Sequence, residues 1–279
     1  MPDQNSDRND EAKGVTRRTA LERGAGFATV IAASALATAV SPSPAAAASA
    51  DAVPAPQGNA PRSGAANLPA AVAGVRIPDS ELARAAAAFA RKVSSETLFH
   101  HVMRSYVFGS LLFDRRGVRY DRELAFLAAV LHDLGLVPAY RTPEARFEVD
   151  GADAAQAFLR EQRVPAARVA VVWDAIALHT DIGIATRKRP EIALTAVGSG
   201  MDFSGNGLDR IPSDALEEIL AAFPRAGFKQ DALDTMLSLC RTKPMSVLMH
   251  PFAEVGRRHI PEFPVPTVED LVFAAPFAE

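Results

Sequence analysis

Val130-Leu131-His132-Asp133-Leu134-Gly135 is the stretch on which the reading of this chain turns. A histidine and an aspartate stand side by side near the end of an apolar, alanine-rich pattern, with Gly135 placed to close the helix. Neighbouring helical side chains point about 100° apart, but at a helix end a short aspartate and a longer histidine can converge on one ion. Neutral imidazole and carboxylate are both good ligands for divalent zinc, iron or manganese. A bare His-Asp pair is more often an ordinary part of a helix, so the weight falls on what surrounds it.

Upstream, Asp121 can cap a helix that runs through Leu124, Leu127 and Leu131 to the pair. Before it, Ser94 or Ser95 can cap another, with Glu96 in its first turn. Leu98, His101, Ser105, Phe108 and Leu112 recur on one face of that helix, which puts His101 on the core side. His100 is rotated away, along the stripe of Arg104, Val107 and Leu111. An earlier helix starts at Pro78-Asp79-Ser80. Downstream, Pro138 to Asp150 reads as an irregular loop carrying Arg146-Phe147-Glu148-Val149-Asp150, with a helix from about Ala152 to Gln162. Val164-Pro165 opens the next, which passes Val169, Val172, Trp173 and Ile176 and ends near His179-Thr180. Glu191 to Met201 reads as a helix ending at Asp202; Pro212–Ala222, Gln230–Arg241 and a segment near Pro251–Arg258 make three more. With no sustained period-2 alternation and no repeat, the expectation is an all-α fold: a single helical bundle domain over residues 75–279, with strand content near nil.

The 279 residues are 48% hydrophobic and 23% charged, which is globular, and the net charge of −3 gives no basic excess for nucleic acid. The one cysteine, Cys240, sits in an apolar pattern and excludes a cysteine-rich zinc site. Residues 1–50 read as an export signal: Arg17-Arg18 before a mild apolar run from Gly24 to Val40, then small residues through Ala50. The paired arginines resemble a twin-arginine leader, although Ala20 and Glu22 depart from the usual pattern. The alternative is a retained anchor; the run is short and rich in alanine and glycine, so cleavage and an exported product without a membrane span are expected. Residues 51–74, rich in Pro, Ala, Gly and Asn, read as a disordered linker. The apolar end of the chain, Leu271-Val272-Phe273 to Phe277, suits docking on the domain or on a partner subunit, and oligomerisation stays open.

His101, His132, Asp133 and Asp202 thus form an ordered set, each inside or at the end of an expected helix. Two imidazoles and two carboxylates suit one divalent ion with a position open for water.

This spacing resembles the HD-domain superfamily of metal-dependent phosphohydrolases and, within it, cyanamide hydratase-like HD proteins. The segments that carry the resemblance are His101 to Tyr106, Leu131 to Gly135, Arg146 to Ala152, Trp173 to Thr180 and Gly200-Met201-Asp202, within about Val75 to Phe263. The resemblance implies that His101, His132, Asp133 and Asp202 are metal ligands, with zinc or iron as the metal. It implies addition of activated water to a small nitrile such as cyanamide, giving urea. Asp133 could then orient the nucleophile, Glu148 could shuttle a proton, and His179 and Thr180 could line the pocket. For Glu148 a solvated loop carboxylate or a helix N-terminal charge, and for His179 and Thr180 a capping pair, are equally good readings. Arg104 could steady Asp133 or a neighbouring carboxylate, or be exposed. The rival enzyme is a phosphohydrolase acting on a nucleotide or other phosphomonoester, with Arg187-Lys188-Arg189 as its phosphate contact. A non-catalytic metal-binding sensor on the same scaffold is the third reading. His250 and His259 show no spacing to the constellation and receive no role.

Overall fold

A computed structural model of the protein describes residues 68–277. The expected leader and residues 51–67 of the expected linker lie outside the described residues. Eleven α-helices are present among the described residues: α1 (Glu81–Val93), α2 (Glu96–Arg115), α3 (Arg122–Leu131), α4 (Phe147–Glu161), α5 (Ala166–Ala177), α6 (Ile182–Ala185), α7 (Pro190–Ser204), α8 (Ser213–Ala222), α9 (Phe228–Thr242), α10 (Phe252–His259) and α11 (Val268–Phe273). The fold is all-α. Its one departure is a hairpin of two short strands, β1 (Ala71–Val72) and β2 (Val75–Arg76), turned by Ala73 and Gly74 at positive φ. Residues 71–74, expected in the linker, are thus part of the folded structure, because Val72 and Val75 are both buried. The described residues fall into a main unit through Phe263 and a C-terminal segment from Pro264. In the latter, α11 starts with a capping box between Thr267 and Asp270. No helix of the described residues is long and apolar enough to cross a membrane.

Side chains fix where the first helices begin. The hydroxyls of Ser80 and Ser95 accept from the amides of Ala83 and Leu98, and the Asp121 carboxylate accepts from Leu124. The middle of the bundle is α2 and α3. Every residue from Leu124 to Leu131 is buried, and Phe126, Leu127 and Leu131 are fully so, each worth about 1.5–3 kcal/mol over exposure. On α2 the expected outer stripe is also covered: Arg104 and Val107 are both fully buried, because other elements pack on both sides of the helix.

Two close backbone approaches position the site. A Cβ on Gly198 would lie 2.0 Å from the Ser105 carbonyl oxygen, and one on Gly109 would lie 2.7 Å from that of Leu194, so α2 and α7 cross in direct contact. A Cβ on Gly135 would lie 1.9 Å from the Phe147 carbonyl oxygen, and one on Gly151 3.0 Å from that of His132. Gly135 therefore does not close α3 in a left-handed conformation. It sits in a 3-10 turn, Leu134–Leu136, where its lack of a side chain lets α4 press against the turn after His132-Asp133.

The stretch Arg146 to Asp150, expected in a loop, is the start of α4. Arg146 occupies the N-cap with no side-chain cap bond, and Pro143 and the charges around it carry no start signal of the usual kind. The last expected boundary also shifts: α7 continues to Ser204, so Asp202 lies within the helix rather than at its end.

Candidate metal centre

His132 caps the C-terminal end of α3, and Asp133 follows in a non-helical conformation. That break in the helix lets adjacent side chains face one point. His101 reaches the same point from the middle of α2. His101, His132 and Asp133 are all buried, and one ligand atom from each lies within 4.8 Å of the others. The Asp133 Oδ2 is 3.4 Å from His101 Nε2 and 3.3 Å from His132 Nε2. A third imidazole, His179, brings its Nε2 to 3.6 Å from Asp133 Oδ1.

Each ring is oriented by its other nitrogen. His132 Nδ1 donates to the Ala129 carbonyl and His179 Nδ1 to the Ile176 carbonyl, both at 2.7 Å and both three residues back at a helix end. His101 Nδ1 donates to Asp202 Oδ2 at 2.7 Å. All three Nε2 atoms are thus left as lone-pair donors turned toward Asp133, the arrangement by which outer hydrogen bonds set the tautomer of metal-binding histidines. Burial, reinforced by the neighbouring His101, brings His132 down to about 3. Burial, with His132 nearby, brings His179 to about 4. Both are neutral at physiological pH, the form that binds a metal. Burial pushes Asp133 up from the ordinary carboxylate value, against the pull of His101 and His179.

The donor set passes a direct test of fit. The His132 Nε2 is buried with no hydrogen-bond partner, although a buried polar nitrogen left unpaired costs about 1–3 kcal/mol. A divalent ion among His101, His132 and Asp133 would give it one. Asp202, expected as a further ligand, is differently engaged. Its Oδ1 accepts from Arg104 Nε at 2.7 Å and Arg225 at 3.0 Å, and its Oδ2 from His101 and from Arg104 at 2.9 Å. Both oxygens are committed, so Asp202 stands behind His101 and orients it. Burial alone would raise Asp202, but the bonds from His101 and Arg104 bring it down to about 2. Arg104, fully buried, also donates to the Phe223 and Pro224 carbonyls, so it steadies Asp202 and not Asp133.

Glu148 is 1% exposed and stands in the first turn of α4, so it is a helix N-terminal charge and not a solvated loop carboxylate. It accepts from Arg146 at 2.6 Å, from Thr180 Oγ1 at 2.6 Å and from His250 Nε2 at 3.1 Å. Burial would raise its pKa, but the donors His250, Arg146 and Thr180 hold it well below the usual carboxylate range. A carboxylate held that firmly in its charged form is an anchor for its three donors and a poor proton shuttle. Thr180 and His179 line the cavity; the Thr180 hydroxyl bonds Glu148, while the His179 ring also bonds the Ile176 carbonyl in the last turn of α5, as a capping side chain does.

His250 is the residue missing from the sequence expectations. Its Nδ1 accepts from the Phe252 amide at 3.1 Å while its Nε2 donates to Glu148, which defines a neutral, fixed ring. It follows a short 3-10 helix, Pro244–Val247, and Met249 at positive φ, and no periodic pattern marks such a turn. Cys240 is buried and free, with its thiol raised by burial and bonded to the Phe252 carbonyl, as an inert core cysteine should be.

A cavity of about 240 Å³ opens over the centre. His101, His132, Asp133, His179 and Thr180 form its floor, and Phe147, Ile182, Phe203, Phe228, Met236 and Phe252 supply much of its apolar wall. Among the described residues no lysine or arginine lines it. Arg187, Lys188 and Arg189 are exposed and outside the lining, with Arg189 turned to Glu191 at 3.2 Å.

Residues 98–222 match the family model of the HD domain. That domain defines a superfamily of metal-dependent hydrolases, which supports the superfamily part of the resemblance and agrees with the His101-His132-Asp133 cluster. No curated protein matches the chain. The matched stretch contains every ionic residue of the floor and ends before Phe228 and His250.

Proposed function

We propose that this protein is a metal-dependent enzyme that adds water to a small uncharged molecule, most simply a nitrile such as cyanamide, giving urea. The observation that carries this reading is the lining of the cavity: an ionic floor under an apolar wall without a lysine or arginine. Recognition of a phosphomonoester relies on cations or bidentate arginines around the phosphoryl oxygens, and this cavity offers none. A small nitrile needs only apolar walls and a few hydrogen-bonding groups at its reacting end.

His101 Nε2, His132 Nε2 and Asp133 Oδ2 would hold the ion, and neutral imidazoles with one carboxylate suit zinc, with iron or manganese as alternatives. Bound there, the metal supplies Lewis acidity and makes water acidic near neutral pH. The protein's own groups manage the protons. Hydration forms one C–O bond, and the two protons of water end on the nitrogens of the product. Asp133 Oδ1, not shared with His101 or His132, is placed to take a proton from the attacking water. His179 Nε2, 3.6 Å away, is placed to pass the proton to the imidate nitrogen. Thr180 gives its hydroxyl hydrogen to Glu148, so its oxygen faces the cavity as an acceptor for a substrate N–H.

The test is metal analysis of the full-length protein followed by assays with cyanamide and with a phosphomonoester. About one equivalent of metal and urea formation, with no phosphate release, is the expected result. Phosphate release without urea would replace this reading with the phosphohydrolase, and metal with neither product would favour a sensor.

A further inference from the structure

The floor of the cavity and its facing wall come from different parts of the chain. Phe228, Asp231, Ala232, Thr235 and Met236 all line the cavity at the spacing of one helical face, so one side of α9 forms that wall. The wall is tied to the centre at its start. The Phe228 ring stacks on His101, with centroids 4.8 Å apart and planes 21° apart, and Arg225 lies over Phe228 at 4.6 Å. Asp231 is the next residue on that face, one turn further along.

Its carboxylate differs from every other acid near the site. Asp202 is held by Arg104 and Arg225, Glu148 by Arg146, Thr180 and His250, and Asp133 faces three imidazoles. Among the described residues no hydrogen bond or ion pair engages the Asp231 carboxylate, yet it lines a cavity whose wall is otherwise mostly apolar. A carboxylate accepts and cannot donate, and in partly dry surroundings its bonds to N–H groups are stronger than neutral ones. The Thr235 hydroxyl, four residues on, adds a second acceptor on the same face.

We infer that Asp231, with Thr235 beside it, is the specificity-determining residue of the site: it selects substrates that carry N–H donors, amino-substituted or cationic, and rejects anions. This deepens the hydratase reading, since it separates an amino-nitrile from an alkyl nitrile of the same size, and its kinetic arm rests on that reading. The selecting wall lies beyond the family-matched residues 98–222, so the ionic floor and the choice of substrate are carried by separate stretches of sequence.

The test is Asp231→Asn in the full-length, metal-loaded protein, which keeps the side-chain size and removes the charge. With cyanamide, KM rises about tenfold while kcat changes little; with acetonitrile, which has no N–H, KM is unmoved and metal content is the same. An equal change on both substrates, or none on either, overturns the inference. A second arm needs no turnover: guanidinium binding, followed by calorimetry, weakens about tenfold in the variant. Equal binding by the two proteins, or none by the wild type, overturns it. If guanidinium binds in an Asp231-dependent way and no nitrile is hydrated, the hydratase reading fails and the selectivity stands.

Discussion

Asp202 and Glu148 are both buried carboxylates with arginine partners, on opposite sides of one centre, and they are bonded to different ends of the site. Asp202 grips Nδ1 of His101, so its network of Arg104 and Arg225 ends on the ring whose other nitrogen, Nε2, faces the metal position. Glu148 grips Thr180 and His250, so its network ends on groups that face the cavity. The burial is similar and the chemistry nearly so, but one network aims a ligand and the other aims the groups that meet the substrate. Charge this deep is costly unless fully paired, so each network is all-or-none.

Removing the shared centre should have the largest effect on both sides. His132→Ala is expected to lose the metal, with affinity down more than about 100-fold and turnover at background, measured by metal content and urea release. Arg104→Met attacks the Asp202 side alone. It leaves a buried carboxylate short of its main partner, and the expected cost is about 3 kcal/mol of stability, read by urea denaturation. Glu148→Gln attacks the other side. Turnover should fall about 10- to 100-fold, as for residues that act through a neighbour, while metal content stays at the wild-type level. If Glu148→Gln lost metal as well, the division of labour between the two networks would be broken.

A smaller effect appears in the metal-free protein as pH is lowered. His132 and His179 have folded-state values of about 3 and about 4, below the ordinary 6.5. The unfolded chain therefore binds more protons over that interval. Their contribution is present above pH 6.5 and is lost as pH falls from there, through about 4 for His179 and about 3 for His132. Denaturation at pH 7 and pH 5 should show the loss, with as many as two protons taken up on unfolding, and added metal should raise stability without removing the loss, because metal binds only the neutral rings.

His101 is legible in the sequence because it sits on a periodic apolar face, and His132 and Asp133 because a titratable pair stands out at the end of an apolar run. Asp202 was legible as a member of the set, but its position behind His101 depends on Arg104 and on Arg225, which a turn after α8 brings in. The charged stretch Arg146 to Asp150 looked like a loop, since helical charge on a surface has no period to read. Its carboxylates are buried by partners remote in sequence, Glu148 by His250 and Asp150 by Lys243. His250 had no local signal at all. Gly135 stands out in the sequence as a helix closer, whereas in the structure its closeness to Phe147 is what demands a glycine there. The all-α fold was legible throughout, apart from the hairpin at 71–76, whose turn residues also look like linker.

Gly135 and Gly151 leave no gap between the two backbones, so the floor has no back door on that side. The exposed lining residues Ile182 and Phe203 mark an apolar mouth of the cavity. Reactant and product then share one threshold, and it is greasy. In the proposed reaction hydration adds hydrogen-bonding groups, so the outgoing molecule would be worse suited to that threshold than the incoming one. Departure, rather than bond making, would then set the pace at saturation, and the rate would fall as the solvent is made more viscous.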